Sequence, residues 1–119
     1  MKYLLLTLLL ILNGCTKEVP FAKLVDRGGI YYEVNSEIPF TGAAVSYHIN
    51  GQLQSKGNFK EGKRNGLFER YHANGQLKSK RSYKEGKKDG LREFYADDGK
   101  KYSLCDQNGT QVDLSICKQ

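Results

Sequence analysis

The stretch TGAAVSYHINGQLQSKGNFKEGK, residues 41–63, is followed at once by RNGLFERYHANGQLKSKRSYKEGK, residues 64–87, and the two are closely similar. Their best-matched segments, YHINGQLQSK and YHANGQLKSK, start 24 residues apart. A third and more altered copy, KDGLREFYADDGKK, begins at residue 88. Internal repeats with a period of about 20 to 50 residues indicate stacked supersecondary units.

Each copy has the pattern of a β-hairpin, because short runs of Tyr, Phe, Leu and Ser alternate with Gly-containing turns and no helical apolar period occurs. Asn74-Gly75 fits either a two-residue type I′ turn or a three-residue loop with a left-handed Gly. We choose the three-residue loop, Ala73-Asn74-Gly75, because it pairs Tyr71 directly with Leu77 on one face. The predicted fold class is all-β, an elongated antiparallel meander of repeated hairpins in a single domain.

The even period of 24 residues predicts that residues of one parity share one face of the sheet throughout. The odd-numbered face would be apolar and would carry Val45, Tyr47, Leu53, Phe59, Leu67, Tyr71, Leu77, Tyr83, Leu91 and Tyr95. Arg81 is the exception there, and we expect it to form a structural ion pair with Glu69 or Glu93. The even-numbered face would be basic, and it supplies the predicted partner-binding residues Lys56, Arg70, Lys78, Lys80, Lys84 and Arg92.

The basic charge is concentrated in the repeats. Residues 54–101 contain 14 Lys and Arg against 7 Asp and Glu, a net charge of +7. Such a surface attracts an acidic protein or anionic lipid headgroups. The alternative is that these lysines keep a flat sheet soluble and block pairing at its edges. Nucleic acid is not expected as a partner, because no combined aromatic and basic RNA-binding signature is present.

The N-terminal stretch MKYLLLTLLLILNGC, residues 1–15, has the features of a processing signal: a basic start, a short apolar run and a small residue before Cys15. Its last four residues, LNGC, resemble the lipobox of bacterial lipoproteins, which implies acylation of Cys15. We therefore predict a signal peptide at residues 1–14, a tether at 15–27, a repeat domain at 28–101 and a C-terminal segment at 102–119.

If Cys15 is lipidated, the remaining cysteines form an even pair, Cys105 and Cys117. In an oxidising compartment outside the cytoplasm they could form a disulfide. A metal site is a weaker interpretation, because the nearest histidine in the sequence is His72 and no CxxC motif occurs. We predict the disulfide and no metal.

The rhythm G-x-x-x-x-Y-x-x-x-G-x-L, followed by (F/Y)-K-x-G-x-x-(D/N)-G, resembles the variant MORN repeat over about residues 39–100. Among bacterial proteins of this type the chain is similar to the YwqK-like family, which is described as antitoxins of toxin–antitoxin pairs. The resemblance implies an elongated antiparallel sheet. It also implies a possible cognate toxin as the protein partner.

The sequence offers little for catalysis. His48 and His72 are repeat-equivalent strand-end residues without metal-ligand neighbours, and Glu61 and Glu85 recur in turns beside lysine, where the pKa of a general acid would not be raised. No nucleophile or nucleotide-binding motif occurs. We predict no enzyme activity and no cofactor.

DQNGT, residues 106–110, resembles a periplasmic N-glycosylation acceptor centred on Asn108 and is also typical of a turn. The function we predict is a lipid-anchored envelope repeat protein, a binding or structural module for an acidic protein or an anionic membrane surface. The alternative is an antitoxin or immunity protein. Thr16, rather than Asp, follows Cys15, which favours the outer membrane facing the periplasm.

Overall fold

The computed structural model describes residues 17–118, so the predicted signal peptide and the lipidation site Cys15 lie outside the described residues. The strands are β1 (Glu18–Pro20), β2 (Leu24–Arg27), β3 (Ile30–Glu33), β4 (Gly42–Tyr47), β5 (Leu53–Lys60), β6 (Lys63–Tyr71), β7 (Leu77–Lys84), β8 (Lys87–Lys88), β9 (Gly90–Tyr95), β10 (Lys101–Gln107) and β11 (Thr110–Val112). Two short 3-10 helices, η1 (Phe21–Lys23) and η2 (Leu114–Lys118), complete the described part, and neither could cross a bilayer.

The main sheet has the strand order β1-β4-β5-β6-β7-β9-β10-β11, with β8 paired to β7. Neighbouring strands within this sheet are antiparallel, except that β1 runs parallel to β4 at the sheet edge. Strands β2 and β3 form a separate hairpin. The predicted all-β antiparallel meander is confirmed.

The hairpins of the three units close with the same three-residue loop. In the second unit the His72 N–H donates to the carbonyl of Gln76 at 2.8 Å, and the Gly75 N–H donates to the carbonyl of His72 at 2.9 Å. Gly75 has φ +91°, a conformation in which a side chain is strained. The same two hydrogen bonds recur at residues 48–52 and 96–100. The prediction of a three-residue loop is confirmed.

The opposite ends of the hairpins are joined by two-residue turns with positive φ at both positions, as type I′ turns require, at Glu61-Gly62, Glu85-Gly86 and Asn108-Gly109. Each turn is bonded back to the residues at the start of its own unit. The Gly86 N–H donates to the carbonyl of Arg64 at 2.8 Å, and the Glu85 N–H donates to Asn65 Oδ1 at 3.3 Å. Equivalent bonds occur at the other two turns, so the start and the end of each unit are tied together outside the strand ladders.

The assumption of constant parity is wrong, because β-bulges interrupt the ladders. Between β6 and β7, Tyr71 pairs with Leu77 but Arg70 pairs with Ser79, which leaves Lys78 as an extra residue. The same shift occurs between β4 and β5, and the β5–β6 ladder also shifts. One extra residue moves all later side chains to the other face.

The aromatic contacts show the consequence of these shifts. Phe68 is even-numbered, yet its ring centre lies 5.4 Å from that of Phe59 and 4.9 Å from that of Tyr83. We call the face that carries these three rings the core face. The opposite face is the ladder face, and each face therefore contains both odd-numbered and even-numbered residues.

The hydrophobic core lies at the N-terminal part of the core face. It consists of Val19, Phe40, Ala44 and Phe59, against which the η1 and β2–β3 segments pack. Residues 18–27, predicted as tether, are thus part of the folded domain, and β1 hydrogen-bonds directly to β4.

The third unit extends beyond Lys101, where the sequence analysis ended the repeat domain. Tyr95 pairs with Lys101 and Phe94 with Tyr102, so this hairpin has no bulge and lacks the extra residue. Its Asn108-Gly109 turn consequently follows Glu85-Gly86 by 23 residues instead of 24. Residues 102–112 complete the third repeat.

Candidate functional site

A row of alternating charges crosses the ladder face. Lys56 on β5 pairs with Glu69 on β6, Glu69 pairs with Lys80 on β7, and Lys80 pairs with Glu93 on β9. Directly opposite residues in neighbouring strands project from the same face, and opposite charges there attract. The positive charges of this row are therefore matched by negative ones.

Further charged groups pair with this row near its two ends. Lys56 Nζ lies 3.6 Å from the carboxylate of Glu18, and Lys101 Nζ lies 3.0 Å from that of Glu93. The hydrogen bond to Glu93 raises the pKa of Lys101 above its usual value. The ladder face is an internally paired surface rather than an open basic one.

A second row crosses the core face directly behind the first and has a different composition. From β4 to β10 its paired members are Ser46, Ser55, Arg70, Ser79, Phe94 and Tyr102. The row contains one cation, no carboxylate and small hydroxyl side chains on both sides of Arg70. It forms the floor of a depression in the sheet.

That depression is a groove of about 360 Å³. We call it the arginine groove and define it by Ser46, Ser55, Arg64, Arg70, Ser79 and Arg81. The ring of Phe68 also lines it, and the ladder-face residues Lys56 and Glu69 border it.

An adjoining groove of about 260 Å³ continues the arginine groove toward β10. The two grooves share Arg70, Ser79 and Arg81, and the second also contacts Phe94 and Tyr102. Together they form one continuous trough across the strands. The trough is polar and cationic in its middle and aromatic at its β10 end.

Arg64 is held among aromatic rings. Its Nη2 donates to the Tyr31 hydroxyl at 3.0 Å and its Nη1 donates to the Tyr83 hydroxyl at 3.4 Å. The guanidinium carbon lies 5.3–5.6 Å from the ring centres of Tyr31, Phe68 and Tyr83, within cation–π range. Within residues 17–118 it has no carboxylate partner, and its buried Nε has no hydrogen-bond acceptor. Its positive charge is fixed in place but not neutralised by an anion.

Arg92 and Asp106 form a bidentate ion pair in the third unit, with Arg92 Nη2 at 3.1 Å from Asp106 Oδ1 and Nε bonded to Oδ2. The Asp106 side chain is 2% exposed and that of Arg92 is 13% exposed. By repeat position this pair corresponds to Phe68 and Tyr83 of the second unit. A buried ion pair therefore replaces an aromatic pair.

The six predicted partner-binding residues do not share one face. The ladder face holds two, the core face holds two, and the remaining two lie near the ends of β7; these are Lys56 and Lys80, Arg70 and Arg92, and Lys78 and Lys84. The predicted common basic face is wrong because the bulges separate its members. Arg70 is the predicted residue that lies in the core-face row.

The two histidines bridge neighbouring units. His48 Nε2 lies 2.8 Å from the carbonyl oxygen of Tyr71, and His72 Nε2 lies 3.3 Å from that of Tyr95.

The pKa of the Tyr71 hydroxyl is raised, mainly by burial and to a smaller extent by the negative charge of Glu69. Across residues 17–118 no cluster of three possible metal-ligating side chains occurs.

The predicted cysteine pair lies at disulfide distance. The sulfur atoms of Cys105 and Cys117 are 2.02 Å apart, and the bond joins β10 to η2.

Asp113 precedes η2 and accepts hydrogen bonds from the backbone N–H and hydroxyl of Ser115, which lower the pKa of Asp113. Asn108 occupies the first position of its turn with φ +52°.

Two segments of closely related sequence share this geometry. In each, a hairpin closes with a three-residue loop, and a type I′ turn is hydrogen-bonded back to an earlier residue. Residues 40–61 and 64–85 match the MORN repeat variant. The two matched segments contain β4 and β5, and then β7 and all of β6 except its first residue, and they supply all six residues that define the arginine groove. No curated protein and no solved structure matches the chain.

Sequence reasoning missed Arg64, Arg81 and Ser79 as site residues. Arg81 lies opposite Phe68, with its guanidinium carbon 5.8 Å from the ring centre of Phe94, and among residues 17–118 it makes no ion pair. The sequence does not show that Lys78 is the extra residue of a bulge, so it gave no signal that places Ser79 and Arg81 on the face that carries Phe68. Arg64 gave no repeat signal, because its equivalents are Phe40 and Lys88.

Proposed function

We propose that this protein is a lipid-anchored repeat protein of the bacterial cell envelope whose MORN repeats bind an acidic protein partner. The observation that carries the proposal is the arginine groove, in which Arg64, Arg70 and Arg81 have no carboxylate partner within residues 17–118. Arginine side chains favour carboxylates because the guanidinium group can donate two parallel hydrogen bonds.

The anchor in this proposal rests on the resemblance of LNGC to a lipobox. The first strand begins at Glu18, three residues after Cys15. Three residues span at most about 10 Å, so a lipidated Cys15 would hold the repeat domain close to the bilayer surface. The proposed location is the outer membrane facing the periplasm, and a partner would have to be membrane-bound or periplasmic.

Co-purification tests the proposal. The lipidated chain, extracted from membranes in mild detergent at low salt, should retain an acidic protein, and raising the salt to about 0.5 M should release it, because salt screens exposed charges. A bound protein that salt does not release would contradict electrostatic binding. Recovery of anionic lipid alone would instead assign the basic groups to the membrane surface.

An antitoxin or immunity protein is the second candidate, supported by the resemblance to the YwqK-like family. Its partner would be a cognate toxin. Co-expression with the product of a neighbouring toxin-like gene would discriminate it, since an antitoxin restores growth and a general binding module does not. Neither candidate includes a catalytic step or a cofactor.

A further inference from the structure

We propose that the trough, formed by the arginine groove and the groove that adjoins it, is the binding site for an extended acidic peptide segment of about seven residues, which lies across the strands from β4 to β10. This inference rests on the proposed function, because it gives the surface and the form of the acidic partner in that proposal.

The charge of the trough selects its ligand. Arg70 and Arg81 line both grooves and have no ion pair within residues 17–118, whereas Arg92 farther along the same face is neutralised by Asp106. Arg64 adds a third positive charge, held by the hydroxyls of Tyr31 and Tyr83. Guanidinium groups held in place by neighbouring rings are suited to carboxylates.

The serines leave space for a main chain. Ser55 and Ser79 stand on either side of Arg70 in the core-face row, and Ser79 is 6% exposed at the floor. Their short side chains keep the trough open, and a hydroxyl can both donate and accept a hydrogen bond. A peptide backbone presents both donors and acceptors along its length.

The length of the ligand follows from the row. Its six members lie on six neighbouring strands, which are about 4.8 Å apart, so the row is about 24 Å long. An extended chain advances about 3.4 Å per residue, so about seven residues cover it. At the β10 end, Phe94 and the 56% exposed Tyr102 offer an apolar contact for the last residue of such a segment.

Arg64 and Arg81 are recessed beside the exposed Arg70, and this arrangement favours a peptide over a membrane. Arg64 and Arg81 are half-buried and face a groove between side chains, and the ladder-face lysines at the same level are matched by glutamates. A flat bilayer surface contacts projecting charges, whereas a single chain can enter the trough. Anionic vesicles are therefore the alternative ligand to test.

The test uses the full lipidated chain in detergent and a fluorescent peptide of six glutamates with a C-terminal tyrosine. A peptide of six glutamines with the same tyrosine is the neutral control. Binding is measured by fluorescence anisotropy. The double variant Arg70→Gln/Arg81→Gln removes two positive charges from the trough. The matched variant Lys60→Gln/Lys87→Gln removes two from exposed positions beside the type I′ turns.

The arginine variant should weaken binding of the glutamate peptide at least about tenfold, since it removes charge-assisted hydrogen bonds from two guanidinium groups to the carboxylates of the peptide. The lysine variant should weaken it less than about threefold. Circular dichroism checks that both variants are folded, and Arg70→Lys/Arg81→Lys, which keeps the charge but loses the forked donors, should give an intermediate affinity.

Equal weakening by the two glutamine variants, or none by the arginine variant, would overturn the groove as the site and leave the proposed acidic partner intact. Vesicles with anionic headgroups that bind through the same arginines, without binding of the peptide, would also overturn it and assign the groove to lipid. Failure of every acidic probe, together with failure of co-purification, would reject the proposed function as well.

Discussion

Lys80 on β7 lies directly opposite Glu69 on β6, and on its other side it lies opposite Glu93 on β9. We expect Lys80→Glu to destabilise the sheet by about 1–2 kcal/mol, because two attractive cross-strand pairs become repulsive. Urea unfolding measures the change. Lys78→Glu, at the exposed extra residue of the bulge on the same strand, is the matched control and should change the free energy of unfolding by less than about 0.5 kcal/mol.

The reversed row provides a second check of the same pairing. Lys80→Glu combined with Glu69→Lys, Glu93→Lys, Lys56→Glu and Lys101→Glu reverses the whole row and restores opposite charges at every contact within it, so it should recover most of the lost stability. If the fivefold variant is no more stable than Lys80→Glu, the charge row does not stabilise the sheet.

The buried pair of Arg92 and Asp106 gives a second prediction. Asp106→Ala should reduce the free energy of unfolding by about 3 kcal/mol or more, because it leaves the guanidinium of Arg92 buried without an anion. The double change Arg92→Phe/Asp106→Tyr copies the aromatic pair Phe68 and Tyr83 and should recover most of that loss. Urea titrations of the three proteins measure this, and a double variant as unstable as Asp106→Ala would contradict the repeat equivalence.

Alanine substitutions at Gly62 and Gly86 distinguish the effect of backbone strain from that of a steric clash. Both have φ above +80°, so alanine at either position should cost about 1–2 kcal/mol. At Gly62 a Cβ would also lie 2.3 Å from Ile30 Cγ2, whereas at Gly86 the nearest atom would be 4.0 Å away. Gly62→Ala should therefore lower the midpoint of thermal unfolding clearly more than Gly86→Ala, and equal shifts would argue against packing of β3 on this turn.

The bond between Cys105 and Cys117 should stabilise the domain by about 3 kcal/mol, since it closes a loop of about a dozen residues in the unfolded chain. Mass spectrometry of periplasm-derived protein without reduction should identify the cross-linked peptide. Cys105→Ala/Cys117→Ala should fold but unfold at lower urea. Two thiols that alkylate freely in the unreduced native protein would count against the bond.

Fatty-acid labelling tests the anchor. Cys15→Ala should abolish incorporation of a labelled fatty acid into the protein, because the acyl chains of the predicted anchor are attached to this cysteine. Metabolic labelling is the measurement, with Thr16→Ala as a control that keeps the cysteine. Labelling of Cys15→Ala equal to that of the wild type would reject lipidation at this residue.

The repeats, the strand class and the three-residue loops could be predicted because period, Gly position and alternation are local properties of the sequence. The faces could not, because the bulge at Lys78 looks like any other strand residue in the sequence. Its presence depends on hydrogen bonds between β6 and β7. A single inserted residue was enough to move Arg70 and Lys80 to opposite faces.

The candidate site and the end of the third unit were hidden for related reasons. Arg64 is held in place by a hydrogen bond to Tyr31. Tyr31 belongs to the N-terminal hairpin outside the repeats, so comparing the repeats does not reveal that the two residues are in contact. In the third unit the missing bulge residue changes the spacing, and Asp106 stands where the other units have Phe59 and Tyr83. Only the pairing of strands reveals these correspondences.

The hydrogen bonds between each type I′ turn and the start of its own unit also determine how such a sheet can be lengthened. Gly86 bonds to Arg64, and Gly109 bonds to Lys88 in the same way. A duplicated copy of residues 64–87, inserted after Lys87, would therefore bring its own acceptor for the following turn. Gene duplication could then lengthen the sheet by about 10 Å for each pair of strands without redesign of its neighbours.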